Sequence, residues 1–162
     1  MDHVERILEQ WRQERPDIDV APMGLIGRVM RLSQILSQEM GKTWAAHGLN
    51  AASFDVLATL RRSGPPYRLS PGDLMAMTLV TSGTMTNRID QLEKTELVER
   101  LPNPADGRGF LISLTEKGFA VIDTAVADHV RTQKRLVSTL SDGELADLTA
   151  GLKAFLLDVE TD

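Results

Sequence analysis

Apolar residues recur at spacings of three and four over most of this chain, the period of helices that bury one face. Residues 2–14 place Val4, Ile7, Leu8 and Trp11 on one side of a short helix, ended by "RPD" because a residue before proline is pushed out of helical geometry. From Met23 to about His47 the series Leu25, Val29, Leu32, Leu36, Met40 is close to a heptad seam, and Gly48 stops it. Asn50 then caps a helix through "AASFDVLATLRRSG", closed by Gly64 and the Pro65-Pro66 pair. Ser70 as cap, Pro71 at the first helical position and Asp73 behind them start another, which runs to about Met77. A few residues later Thr81 caps "TSGTMTNRIDQLEK", with Met85, Ile89 and Leu92 on its apolar face.

After Leu97 the periodicity changes. "LVERL" and "GFLISL" read as strands of roughly five residues, and "PNPADGRG" between them is dense in turn-formers. Residues 115–140 return to helix, with Phe119, Ile122, Val126, His129 or Val130, Gln133 and Leu136 on one side. Ser141 and Glu144 form a capping box for a last helix that carries Leu145, Leu148, Leu152, Phe155 and Val159. The last two helices and the stripe on residues 25–40 hold more apolar surface than a thin monomer buries, which predicts an isologous dimer. The expected fold is mainly α with a small β wing: a winged helix-turn-helix over residues 49–118, flanked by N-terminal helices in 1–48 and C-terminal dimerisation helices in 119–162.

At 162 residues and 42% hydrophobic composition the chain has the material for about one domain with a real core. No run approaches the length of a membrane span, and the N-terminus has neither a hydrophobic segment nor a small-residue cleavage site, so the expected location is the cytoplasm with no membrane partner. Cysteine is absent, which excludes disulfides, thiolate metal sites and thiol nucleophiles. His3, His47 and His129 are scattered and share no helical face, so neither a metal nor another cofactor is expected. The motifs that mark common enzymes, a phosphate-cradling glycine loop, H-E-x-x-H or G-x-S-x-G, are missing, and no enzyme is expected.

The net charge of −5 argues against a generally basic nucleic-acid binder, so any DNA contact is local. Over residues 61–108 basic and acidic side chains nearly balance, and the acidity lies toward the two ends. The helix that opens with Thr81 suits a local contact. Ser82, Gly83 and Thr84 are small enough for close approach, and the free N–H groups of a first turn favour phosphate. Thr86, Asn87 and Arg88 carry donors and acceptors for base edges or backbone. Arg108 sits at the hairpin tip, where an arginine can enter a minor groove, with Asp106 near enough to orient it. A winged helix that binds protein instead has only the negative net charge in its favour.

These residues resemble the MarR family of bacterial transcription regulators. The likeness runs from Met23 onward and is densest in "SPGDLMAMTLVTSGTMTNRIDQLEKTELVERLPNPADGRGFLISLTEKG", with the "LEK..LVER" exit into the wing, the D-x-R tip at Asp106 and Arg108, and the "LTEKG" start of the next helix. The resemblance implies a homodimer held by N- and C-terminal helices that binds double-stranded operator DNA, usually represses, and lets go when a small, often aromatic and anionic, ligand binds. Trp11 with the following "ERPD", Asp55 in "FDVL", Arg88 in "NRI" and Arg100 in "VER" are further similar to the urate-responsive branch. That likeness implies that Trp11, Asp55, Arg88 and Arg100 surround the effector or transmit its binding. Urate is a flat anion, on which an indole can stack and which guanidinium groups can neutralise. The residues alone leave open whether Trp11 merely staples its helix, whether Asp55 only pairs with an arginine, and whether Arg88 serves DNA alone.

Overall fold

The computed structural model describes residues 1–78, 85–105 and 109–161, which form two compact units, Met1–Gly41 and Lys42–Asp162. In the first, Asp2 caps α1 (His3–Glu14) by accepting from the Glu5 N–H at 2.8 Å. Val4 and Leu8, one turn apart, meet two glycines on α2 (Ala21–Ala46): a Cβ on Gly24 would lie 3.2 Å from Leu8 Cδ1, and one on Gly27 3.2 Å from Val4 Cγ1. The inward stripe of α1 is narrower than its apolar pattern. Leu8 is buried, whereas Ile7 and Trp11 on the same face remain exposed. Arg28 fastens α1 from α2 through Asp2 (2.8 Å) and Glu5 (2.9 Å), and Arg12 also reaches Glu5.

The second unit holds the main core. Asn50 and Ser53 exchange side chain to backbone hydrogen bonds at 2.9 Å, the reciprocal box that starts α3 (Ala51–Arg62). Phe54, Val56, Leu57 and Leu60 of α3 pack with Leu74 of α4 (Pro71–Met77) and with Met85, Ile89 and Leu92 of α5 (Met85–Lys94). The apolar face read for α5 is therefore its anchor.

Strands β2 (Val98–Pro102) and β3 (Phe110–Leu114) pair antiparallel with Arg100 opposite Ile112. A strand that the pattern reading missed, β1 (Arg68–Leu69), pairs with the other edge of β3, giving the order β1-β3-β2. Two residues are too short to show alternation, and β3 is what defines them as a strand. Thr115 caps α6 (Glu116–Val137) by accepting from Gly118 N at 2.9 Å, and Ile122 and Ala125 close the core. The Ser141–Glu144 box starts α7 (Asp142–Thr161), where Leu145, Leu148, Leu152, Phe155 and Val159 are all exposed.

Candidate DNA-reading site

Helices α4 and α5 form the helix-turn-helix. Ser70 accepts from Asp73 N at 3.1 Å and donates to the Asp73 carboxylate at 2.6 Å, so α4 is doubly secured at its start. At its other end the Arg62 guanidinium, from the last turn of α3, donates to the Met77 carbonyl, one of the orphan acceptors of a helix terminus. Arg62 thereby fixes the point from which the chain departs toward α5. Sequence reasoning did not find this role, because nothing in the spacing of Arg62 and Met77 marks a helix-to-helix cap.

On α5, Met85, Ile89 and Leu92 point into the core, Thr86 and Asn87 are exposed, and Arg88 is half-buried. Of the expected DNA contacts, Thr86 and Asn87 thus lie on the open side. Ser82, Gly83 and Thr84 with the cap Thr81, and Asp106 with Arg108 at the wing tip, lie outside the described residues. The wing leading to that tip is ordered by Asn103: its N–H donates to Gly109 O at 3.1 Å, and its side chain accepts from Ala105 N at 3.0 Å.

Arg88 lines a cleft of about 370 Å³ with Asn50, Ser53, Asn87 and Gln91. Its Nη1 is shielded from solvent and has no hydrogen-bond partner among the described residues. An unsatisfied buried donor costs on the order of 1–3 kcal/mol, so any acceptor that reaches this guanidinium relieves a standing penalty. Asp55 is half-buried on α3 and Arg100 lies on β2, and neither lines this cleft. Trp11 lies half-exposed on α1.

Arg100 is engaged elsewhere. It pairs with Asp90 at 2.5 Å and with Glu93, both on α5, and its guanidinium carbon stands 5.4 Å from the centre of the Phe110 ring. The hydrogen bond to Asp90 and the neighbouring Glu93 charge raise the Arg100 pKa above its usual range, opposed by partial burial. Beyond α5 the chain turns through Glu96 at φ 61°, and the "LTEKG" segment stitches that turn: Thr115 Oγ1 donates to Glu96 O at 2.7 Å and Lys117 Nζ to Thr95 O at 2.8 Å.

The tertiary structure also gathers two of the scattered histidines. His129 stacks on Trp44 at a centroid distance of 5.6 Å and meets Phe54 at a tilt, 4.8 Å between centroids, and burial lowers its pKa. His47 pairs with Asp128, the residue before His129, at 2.9 Å. Among the described residues no group of three or more potential ligands is placed to hold a metal ion, and no helix is long and apolar enough to cross a membrane.

A capped helix-turn-helix, an anchored second helix with a polar outer face, and an antiparallel wing behind it define a winged-helix DNA-binding protein. The family model described as "MarR family" matches residues 47–109, which span α3 to the wing. Over 91% of this chain and 89% of the relative, the sequence is 40% identical to the HTH-type transcriptional regulator PecS of Dickeya dadantii. A MarR point mutant from E. coli, solved in complex with operator DNA, superposes with a TM-score of 0.72 at 27% identity, over 90% of this chain and 97% of that one. The Bordetella bronchiseptica regulator BpsR, described by its regulation of DNA binding by 6-hydroxynicotinic acid, gives a TM-score of 0.70 at 25% identity, over 80% of this chain and 91% of that one. The chain belongs to the MarR family of DNA-binding transcriptional regulators.

Proposed function

We propose that this regulator is a homodimeric, cytoplasmic repressor that is released from operator DNA by a small anionic aromatic ligand such as urate or a related purine. Residues 49–118 serve as the DNA-binding domain, and the helices of 1–48 and 119–162 carry the dimer contacts. Ser82, Gly83, Thr84, Thr86, Asn87 and Arg88 of the reader and Arg108 of the wing are the proposed DNA contacts. For the effector, Trp11 supplies a stacking surface, Arg88 an anion-binding group, and Asp55 and Arg100 sense or transmit the bound charge. The observation that supports the effector reading is the shielded Arg88 Nη1, without a hydrogen-bond partner among the described residues, beside a cleft of ligand size on the proposed reader helix.

Arg88 cannot serve an effector and a DNA phosphate equally well at once. A ligand that holds it in the DNA-incompetent arrangement must weaken DNA binding, and DNA must weaken ligand binding by the same factor, roughly 5- to 150-fold for typical couplings. The test is a gel shift with the DNA upstream of the protein's own coding sequence, titrated with urate, xanthine and simple aromatic carboxylates, alongside tryptophan fluorescence. Urate releases the DNA and quenches the wild type, and Trp11→Phe loses most of the quench. A simple aromatic acid as the better releaser favours a second reading, the same repressor with a different aromatic effector, for which the regulation of BpsR by 6-hydroxynicotinic acid is the precedent. Silence from every compound in both assays overturns the effector reading and leaves the DNA-binding one standing.

A further inference from the structure

We propose that Arg100 is a positioning residue for DNA binding itself: a strut that sets the wing at a fixed angle to the reader helix, independent of any effector. Asp90 and Glu93 stand three residues apart on α5 and so share one face. Arg100 comes to them from β2, the first strand of the wing, with one guanidinium nitrogen on each carboxylate. Phe110, the first residue of β3, closes the far side of the same guanidinium by a cation–π contact. A single side chain thus joins the reader helix to both wing strands. The Arg100 side chain is 27% exposed and those of Asp90 and Glu93 45% and 40%, so the joint sits at the edge of the domain, partly shielded from solvent. Arginine suits the position because its planar fork meets two acceptors at once, which the point charge of a lysine does not.

Two consequences follow for a protein that must place a helix and a wing on one duplex. The strut holds the wing at the angle at which both elements engage together, so their contacts add without a further ordering cost. It also neutralises two acids on the reader helix that would otherwise repel phosphate. These effects have opposite signs when the acids are removed, and that separates them. In Asp90→Asn/Glu93→Gln two negative charges are lost, which on charge alone strengthens DNA binding, while the strut loses both anchors.

The experiment measures binding of the full-length variant to the DNA upstream of its own coding sequence and to a scrambled duplex, without added ligand, across a salt series. The expected result is a roughly tenfold loss of affinity for the specific duplex, unchanged or tighter binding to the scrambled one, and a salt slope for the specific duplex reduced by about one as the wing contact is lost. Arg100→Lys is expected to keep the scrambled-duplex affinity and recover only part of the specific affinity. Arg100→Ala is expected to fall below both on the specific duplex, with melting curves to show that it folds; if it does not fold, the double variant and the lysine carry the decision. Specific binding by Asp90→Asn/Glu93→Gln that equals or exceeds the wild type overturns the strut, as does full recovery of the specific affinity in Arg100→Lys.

Discussion

At Gly118 a hydrogen is the only substituent that fits. A Cβ there would lie 1.8 Å from the carbonyl oxygen of Leu97 and 2.8 Å from its carbonyl carbon, and both are backbone atoms held between the end of α5 and the start of β2. The same carbonyl accepts from Thr115 N at 3.3 Å, so the first turn of α6 is pressed against the reader's exit on two counts. Gly118→Ala must push α6 away from that turn, an overpacking cost of about 3 kcal/mol. For a chain of this size the melting temperature is expected to fall by roughly 6–12 °C, measured by calorimetry or circular dichroism. A melting temperature within a degree of the wild type would mean that α6 yields at no cost. Arg88 is the contrasting residue: its shielded nitrogen has no partner among the described residues, so an acceptor supplied by DNA or ligand would relieve that penalty.

Among the elements, α1 is held by little apolar contact and by a linked set of charges. Leu8 is its buried side chain, while Asp2, Glu5 and Arg28 supply a linked set of ion pairs with both carboxylates bonded to one guanidinium. The Glu5 N–H, then Arg28, lower the Asp2 pKa, and Arg12, then Arg28, lower that of Glu5. Because both values in the folded protein lie below those of the unfolded chain, the stabilisation is complete above the ordinary carboxylate range near 4 and is lost as pH falls through the lowered values. Salt screens such exposed pairs, so the effect is modest and strongest at low ionic strength. Hydrogen exchange corrected for intrinsic rates should show α1 losing protection between pH 5 and pH 3 (roughly the carboxylate window) before α3 does. Arg28→Gln should remove part of that pH dependence, since the Glu5 N–H and Arg12 still lower the two carboxyls; if α1 in the variant loosens over the same window to the same extent as in the wild type, the Arg28 pairs do not contribute to it.

At the scale of the whole molecule, the excess of exposed apolar surface asks for a second copy. On α2, Met23, Leu25, Ile26, Met30, Leu32 and Ile35 are exposed, and α7 has no buried residue at all. Isolated surface leucines need no explanation, but stripes of this length on two helices are interface material. Leu152→Asp or Phe155→Asp would place a carboxylate in the proposed seam at a cost of several kcal/mol. Sedimentation at micromolar concentration is expected to show monomer or aggregate, and a stable dimer would move the interface off α7. Two copies of the reader in a dimer also predict a pseudo-palindromic site with half-site centres roughly 10 base pairs apart, which footprinting can check.

Local chemistry and periodicity, which act over a few neighbouring residues, are what the sequence by itself determined. The caps at Asn50, Ser70 and Ser141, the core face Met85, Ile89, Leu92 and the two wing strands are of this kind, and all were legible because each depends on residues three or four apart, or on alternation. The family likeness added the identity of the DNA-reading unit. Partnerships between side chains distant along the chain were left to the tertiary structure: Arg62 on Met77 O, Lys117 on Thr95 O, His47 on Asp128, and Arg100 on Asp90 and Glu93. No periodicity encodes these, since a charged side chain several bonds long takes whichever opposite charge or orphan carbonyl the packed core brings within reach. Arg100 shows the consequence most clearly: its sequence context points to an effector, and only the packing of β2 against α5 joins it to the reader helix.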